Sequence, residues 1–196
     1  MNLPNKLTIS RIALTVIFMF FLFANGLLAK TFALMVFLAA SLTDLLDGYF
    51  AKRDNQITDF GRLMDPIADK ILVLSAFLAF VEMELVPAWM VVVIIFREVA
   101  VTGLRVLALT KGRVIQSDDG GKHKTVSQFA AIFAILLFLI FREAGMKVFE
   151  FWSDRTEVLY KNTIFALMCI TVVLTLISGV SYLVKNREVY TNEKTH

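Results

Sequence analysis

Long apolar runs broken by short charged stretches constrain this chain more than any other feature of its sequence. Six runs stand out, at about 11–29, 31–51, 64–82, 86–109, 125–141 and 162–184. Each approaches the ~20 residues that an α-helix needs to cross a bilayer, the fifth being the shortest. The chain is 58% hydrophobic, against roughly half in a soluble domain, and the excess sits in these runs. The pattern predicts an all-α integral membrane bundle of six transmembrane helices. It leaves room for one domain over 1–196 and no second. Asn2–Ser10, with Pro4 and Asn5 near a helix start, is expected to form a short N-terminal interfacial segment. The N-terminus lacks the charged, apolar and small-residue succession of a cleaved signal, so the first run is expected to persist as a helix.

The loop charges predict an orientation. Lys6, Arg11, Lys52, Arg53, Arg62, Lys111, Arg113, Lys122, Lys124, Lys185, Arg187 and Lys194 would fall on one side, and Lys30, Arg142, Lys147, Arg155 and Lys161 on the other. Cationic loops stay on the cytoplasmic side, which puts both termini there, in a cell (inner or plasma) membrane. The mixed stretch 142–161, with Phe149, Phe151 and Trp152, is expected to be a short interfacial helix. A net charge of +3 gives no reason to expect nucleic acid as a partner. The single cysteine, Cys169, has no intrachain disulfide partner, and no Cys/His metal spacing is present.

Asp44, Asp47, Asp65, Asp69, Lys70, Arg97, Glu98 and Arg105 fall within or at the ends of the apolar runs. Ionisable groups at that depth are expensive unless they face a polar cavity or a partner, so each is a functional candidate. Asp44 and Asp47 are spaced i, i+3, and Asp65 and Asp69 i, i+4; either spacing puts two side chains on one helix face. The connection from Lys52 to Gly61 is short, so the two helices are expected to be antiparallel neighbours with four carboxylates at one depth. Four such carboxylates repel unless cations neutralise them, and hard divalent ions such as Mg²⁺ or Mn²⁺ suit oxygen ligands. Two metals sharing carboxylates can clamp the attacking and leaving oxygens of a phosphoryl centre. Gly48, Ala51 and Gly61 would allow close helix approach or leave room for a ligand, and Pro66 fits a first helical turn. The competing structural reading pairs the aspartates with Lys52, Arg53, Arg62 and Lys70 in a polar seam. The full ordered pattern nevertheless has a chance frequency on the order of one in 10⁸ at average residue usage.

That pattern resembles the signature of the CDP-alcohol phosphatidyltransferases, Asp-x2-Asp-Gly-x2-Ala-Arg-x8-Gly-x3-Asp-x3-Asp. Here it reads Asp44-Leu-Leu-Asp47-Gly48-Tyr-Phe-Ala51-Lys52, eight residues, then Gly61-Arg-Leu-Met-Asp65-Pro-Ile-Ala-Asp69. Every spacing matches, and Lys52 stands where arginine is usual, with Arg53 beside it. Lysine keeps the charge but loses the planar fork for bidentate phosphate binding, and either neighbour can take that role. The resemblance implies a membrane enzyme with Asp44, Asp47, Asp65 and Asp69 as ligands of two divalent cations and Asp69 also as general base. It implies that Pro4, Asn5, Thr8, Gly48, Ala51, Lys52 and Gly61 bind the CDP-lipid, and that the protein is a homodimer.

The acceptor alcohol rests on other residues. Arg97-Glu98-x4-Gly103-Leu104-Arg105 and Gly121-Lys122-x-Lys124-Thr125 resemble segments of the family's phosphatidylglycerophosphate synthases. Arg and Lys beside a phosphoryl-transfer site also favour an anionic acceptor. Arg97, Arg105, Lys122 and Lys124 are thus expected to bind the phosphate of sn-glycerol 3-phosphate, with CDP-diacylglycerol as donor. Cationic bias alone explains Lys111 and Arg113, but not Arg97 and Arg105 inside the run. The residues leave other readings open: a sibling enzyme using inositol phosphate, serine or another CDP-lipid, a membrane cation transporter, or an inactive scaffold. The clustering of the aspartates at one face and the lack of an internal repeat weigh against a transporter.

Overall fold

The computed structural model describes residues 3–54, 59–112, 115, 120–147 and 152–191, with side chains over 9–43, 70–112, 115, 124–146 and 152–191. Seven helices account for its regular structure: α1 (Leu3–Phe23), α2 (Leu27–Asp54), α3 (Asp59–Glu82), α4 (Ala88–Thr110), α5 (Gly120–Lys147), α6 (Asp154–Lys185) and the short α7 (Glu188–Thr191). No strand occurs among the described residues. The fold is therefore all-α, as the runs predict.

Local chemistry sets the helix ends. Only residues 24–26 separate α1 from α2, and Gly26 takes φ 107°, a left-handed conformation that a side chain would strain. Lys30, buried in α2, reaches back to donate from Nζ to the Leu22 carbonyl near the end of α1. This places a cation against the negative end of that helix dipole. At the end of α3 the chain turns through Glu84 at φ 57°, with Leu85 N–H donating to the Phe80 carbonyl at 2.9 Å. Pro87 then precedes α4. Ser153 caps α6 by accepting from Thr156 N–H at 3.3 Å, and Asp154 and Glu157 in the first turn complement its positive end.

α1 packs along α2 and α3, α5 along α2 and α6, and α4 along α6, while the α3–α4 contact is slighter. The core between them is aromatic and aliphatic: Phe18, Phe37, Phe77, Phe80, Ile94 and Ile135 are fully buried or nearly so. Phe37 of α2 ties three helices together, its ring centroid lying 5.7 Å from that of Phe18 and 5.8 Å from that of Phe129. The outward faces are apolar as well, with Phe20, Leu28 and Phe96 among the most exposed side chains.

Three expectations change. Pro66 does not stand in a first turn, because α3 begins seven residues earlier, at Asp59. Residues Leu3–Ser10 are no separate interfacial segment but the first turns of α1. Pro4 sits where the missing N–H has no helical partner in any case, so the helix runs through it. Nor does the stretch 142–161 form its own helix, because α5 continues to Lys147 and α6 begins at Asp154. Phe149 and Phe151 lie outside the described residues, and Trp152 stacks on Tyr160 with centroids 5.5 Å apart.

Among the described residues, two helices are long and apolar enough to cross a membrane, Lys124–Met146 and Asp154–Lys185. The described apolar parts of α1 and α2, Ile9–Phe23 and Leu27–Thr43, are shorter. α4 has 23 residues, but every 18-residue stretch of it contains Arg97, Glu98 and Arg105. What sets it apart is charge rather than length.

Phe37→Ala is expected to lower stability by about 3–5 kcal/mol, the usual cost of emptying a buried phenylalanine site. A thermal midpoint in detergent unchanged from wild type would show that the α1–α2–α5 junction repacks.

Candidate active site

The aspartate pairs lie on α2 and α3. Asp44 is ten residues before the end of α2 and Asp69 ten residues after the start of α3, so the backbone brings both about 15 Å from the connection. Within each helix the spacing sets the two aspartates on one face. Their side chains lie outside the described residues, as do those of Pro4, Asn5, Thr8, Gly48, Ala51, Lys52, Gly61 and Lys122, all of which have helical backbone. No group of three or more potential metal-ligating side chains occurs among the described residues. The four-carboxylate set still suits hard divalent ions by its chemistry.

Lys70, the residue after Asp69, belongs to a charged cluster. Glu98 of α4, 8% exposed, is its centre. Its Oε1 accepts from Lys124 Nζ of α5 and from Arg97 Nη1 at 3.4 Å, and its Oε2 lies 3.8 Å from Lys70 Nζ of α3. Lys70 also donates to Thr102 Oγ1, which in turn donates to the Glu98 carbonyl at 2.7 Å. Arg97 donates from Nη2 to Ser178 Oγ of α6 at 2.9 Å. Four helices therefore meet through polar groups at one place. An isolated charge there would be costly, and mutual pairing is what allows all of them to stay inside the apolar bundle.

Backbone space is part of this arrangement. A Cβ on Gly179 would stand 2.8 Å from Arg97 Cγ, so the glycine lets Arg97 lie against α6. A cleft beside the cluster is lined by Lys70, Glu98, Lys124, Thr125 and Gln128. Gln128, buried beside that cleft, has no hydrogen-bond partner for its Nε2 among the described residues.

Of the four cations expected at the acceptor site, the structure brings Arg97 and Lys124 together through Glu98. Arg105, two helical turns further along α4, is exposed and stays outside the cluster. Lys70 and Glu98 stood out as charges in apolar runs, and Glu98 stands beside Arg97 in the chain, but nothing in sequence joined Lys70 and Lys124 to that pair. Thr102, Ser178 and Gln128 gave no signal, since lone polar residues in apolar helices are common. Arg11 reads as a loop charge yet is 1% exposed on α1, which packs on the two helices that carry the aspartates.

The sequence model of the CDP-alcohol phosphatidyltransferase family matches residues 1–177, and the chain belongs to that family. It is 45% identical over 148 residues to the CDP-diacylglycerol–glycerol-3-phosphate 3-phosphatidyltransferase of Bacillus subtilis, covering 69% of this chain and 77% of that one. The protein of the same name from Rickettsia bellii is 34% identical over 183 residues, 92% of this chain and 93% of its own length.

Gly179→Ala is expected to push Arg97 off Ser178 and to lower transferase activity roughly tenfold or more, since small misplacements beside reacting groups are costly. Wild-type turnover in membranes containing equal amounts of the variant would mean that Arg97 does not serve the reaction in this position.

Proposed function

We propose that this chain transfers the phosphatidyl group of CDP-diacylglycerol to sn-glycerol 3-phosphate, giving phosphatidylglycerophosphate and CMP. The observation that carries the acceptor is the convergence of Lys70, Arg97 and Lys124 one residue beyond the last motif aspartate. Such cations suit a phosphate monoester better than an uncharged alcohol. The motif spacing and the names of the relatives support the same reading.

The proposed setting is the inner or plasma membrane, with α1 to α6 crossing it and both termini and the active site on the cytoplasmic side. The apolar outward faces and the distribution of Lys and Arg support it. A homodimer is proposed from the family resemblance.

Asp44, Asp47, Asp65 and Asp69 would hold two divalent cations, Mg²⁺ or Mn²⁺, which when bound would neutralise charge developing on the diphosphate. Pro4, Asn5, Thr8, Gly48, Ala51, Lys52 and Gly61 would seat the CDP-lipid, leaving the acyl chains among lipids. Arg97 and Lys124 would grip the acceptor phosphate, while Arg105 and Lys122 extend the positive field that draws it in. The Asp69 carboxylate takes the proton of the primary hydroxyl. That oxygen then forms a bond to the β-phosphorus as the bond to the CMP oxygen breaks, and CMP leaves. Catalysis on this route is positioning and electrostatics, with no covalent enzyme intermediate.

Membranes containing the protein, given CDP-diacylglycerol and labelled sn-glycerol 3-phosphate, are expected to yield labelled lipid with Mg²⁺ or Mn²⁺ and none with EDTA. Label entering lipid from inositol phosphate or serine instead would overturn the acceptor, and no product from folded protein would favour an inactive scaffold. Asp69→Asn is expected to abolish turnover while the protein remains folded in the membrane. A rate near wild type would remove Asp69 as the base.

A further inference from the structure

Glu98 is the one carboxylate among the described residues that meets three cations, and these come from three helices. None of the three is placed by its own helix alone. Lys70 is drawn to the Glu98 carboxylate and to Thr102, whose hydroxyl is held by the Glu98 carbonyl. Arg97 is stretched between Glu98 and Ser178. Lys124, 6% exposed, has its ammonium on the same Glu98 oxygen that Arg97 reaches. Without that carboxylate, three like charges in a low-dielectric setting would drive one another apart. With it they are held together as a fan beside the cleft that Lys70, Glu98, Lys124 and Gln128 line.

The position along α3 matters too. Lys70 directly follows Asp69, so a phosphate gripped by the fan lies at a fixed offset from the proposed base. In sn-glycerol 3-phosphate the phosphate and the reacting primary hydroxyl sit at opposite ends of three carbons. We infer that Glu98 is a positioning residue for the acceptor: it gathers Lys70, Arg97 and Lys124 into one phosphate seat at a set distance from Asp69. This rests on the function proposed above. Glu98 itself, being anionic, repels the phosphate and acts through the cations it aligns.

The test is kinetic, on membranes carrying Glu98→Gln, Glu98→Asp and Thr102→Val, the last loosening Lys70 alone. Glu98→Gln is expected to raise the KM for sn-glycerol 3-phosphate about tenfold or more while the KM for CDP-diacylglycerol stays within about twofold. Glu98→Asp, which keeps the charge, is expected to recover part of that loss, and Thr102→Val to raise the acceptor KM to a smaller extent. An acceptor KM that is unchanged or lower in Glu98→Gln overturns the inference, because Glu98 would then merely compete with the phosphate. Both KM values rising together, with no recovery in Glu98→Asp, also overturns it and leaves Glu98 as a tie between helices. Should Glu98→Gln fail to accumulate in the membrane, an unchanged acceptor KM in the other two variants is equally decisive. The wild-type acceptor panel separates the two readings. If inositol phosphate is the substrate, the acceptor named above fails while the Glu98 series is run with that phosphate. If serine is the substrate, both fail.

Discussion

A charge taken out of water must find its opposite or a site that solvates it, and in this bundle that requirement falls on Glu98. Its carboxylate allows Lys70, Arg97 and Lys124 to remain among apolar helices, and through Arg97 it reaches Ser178 on a fourth. The slight α3–α4 contact gains its polar fastening here, beside helices whose other contacts are aromatic and aliphatic. Breaking a pair of this kind is far more damaging than never having made it, because the partners left behind stay buried. The cluster thus ties the packing of the bundle to the helix that carries the end of the motif.

The two ends of the bundle are built on different principles. Around Phe37, Phe77 and Phe80 the helices interlock through large rings, and tight turns at Gly26 and Glu84 close the connections there. At the other end, the motif puts small residues and carboxylates on α2 and α3.

Much of this was legible in sequence, and the reason is the bilayer. Apolar runs of the right length have few alternatives to helices, so the six main helices follow from hydropathy, with ends displaced by several residues. The interfacial segment expected at Asn2–Ser10 failed because Pro4 is harmless in a first turn, which makes the start of an apolar run a poor guide to the start of a helix. The spacing of the motif made the family legible, and the family model bears that out. The company that Glu98 keeps was not legible: Lys70, Lys124 and Ser178 are 28, 26 and 80 residues away in the chain, and only packing brings them together. Arg105 illustrates the converse, since it shares a run with Arg97 yet lies exposed.

α6 carries a further consequence. Its 32 residues make a rod about 48 Å long, against a hydrocarbon slab of about 30 Å. The uncharged stretch 162–184 nearly matches the slab, so in the proposed setting the first eight residues, with Arg155, Glu157 and Lys161, form a stub about 12 Å tall on the far side. Trp152 and Tyr160 stack along that stub, and Glu157 accepts from Trp152 Nε1 at 2.9 Å and forms an ion pair with Arg142, 3.2 Å from its Nε. Such a rod acts as a waterline. In that setting its charged stub would resist sinking and its apolar shaft would resist rising, so it would set how deep the proposed reaction centre rides beneath the opposite headgroups, and a thicker or thinner bilayer would change its tilt before that depth.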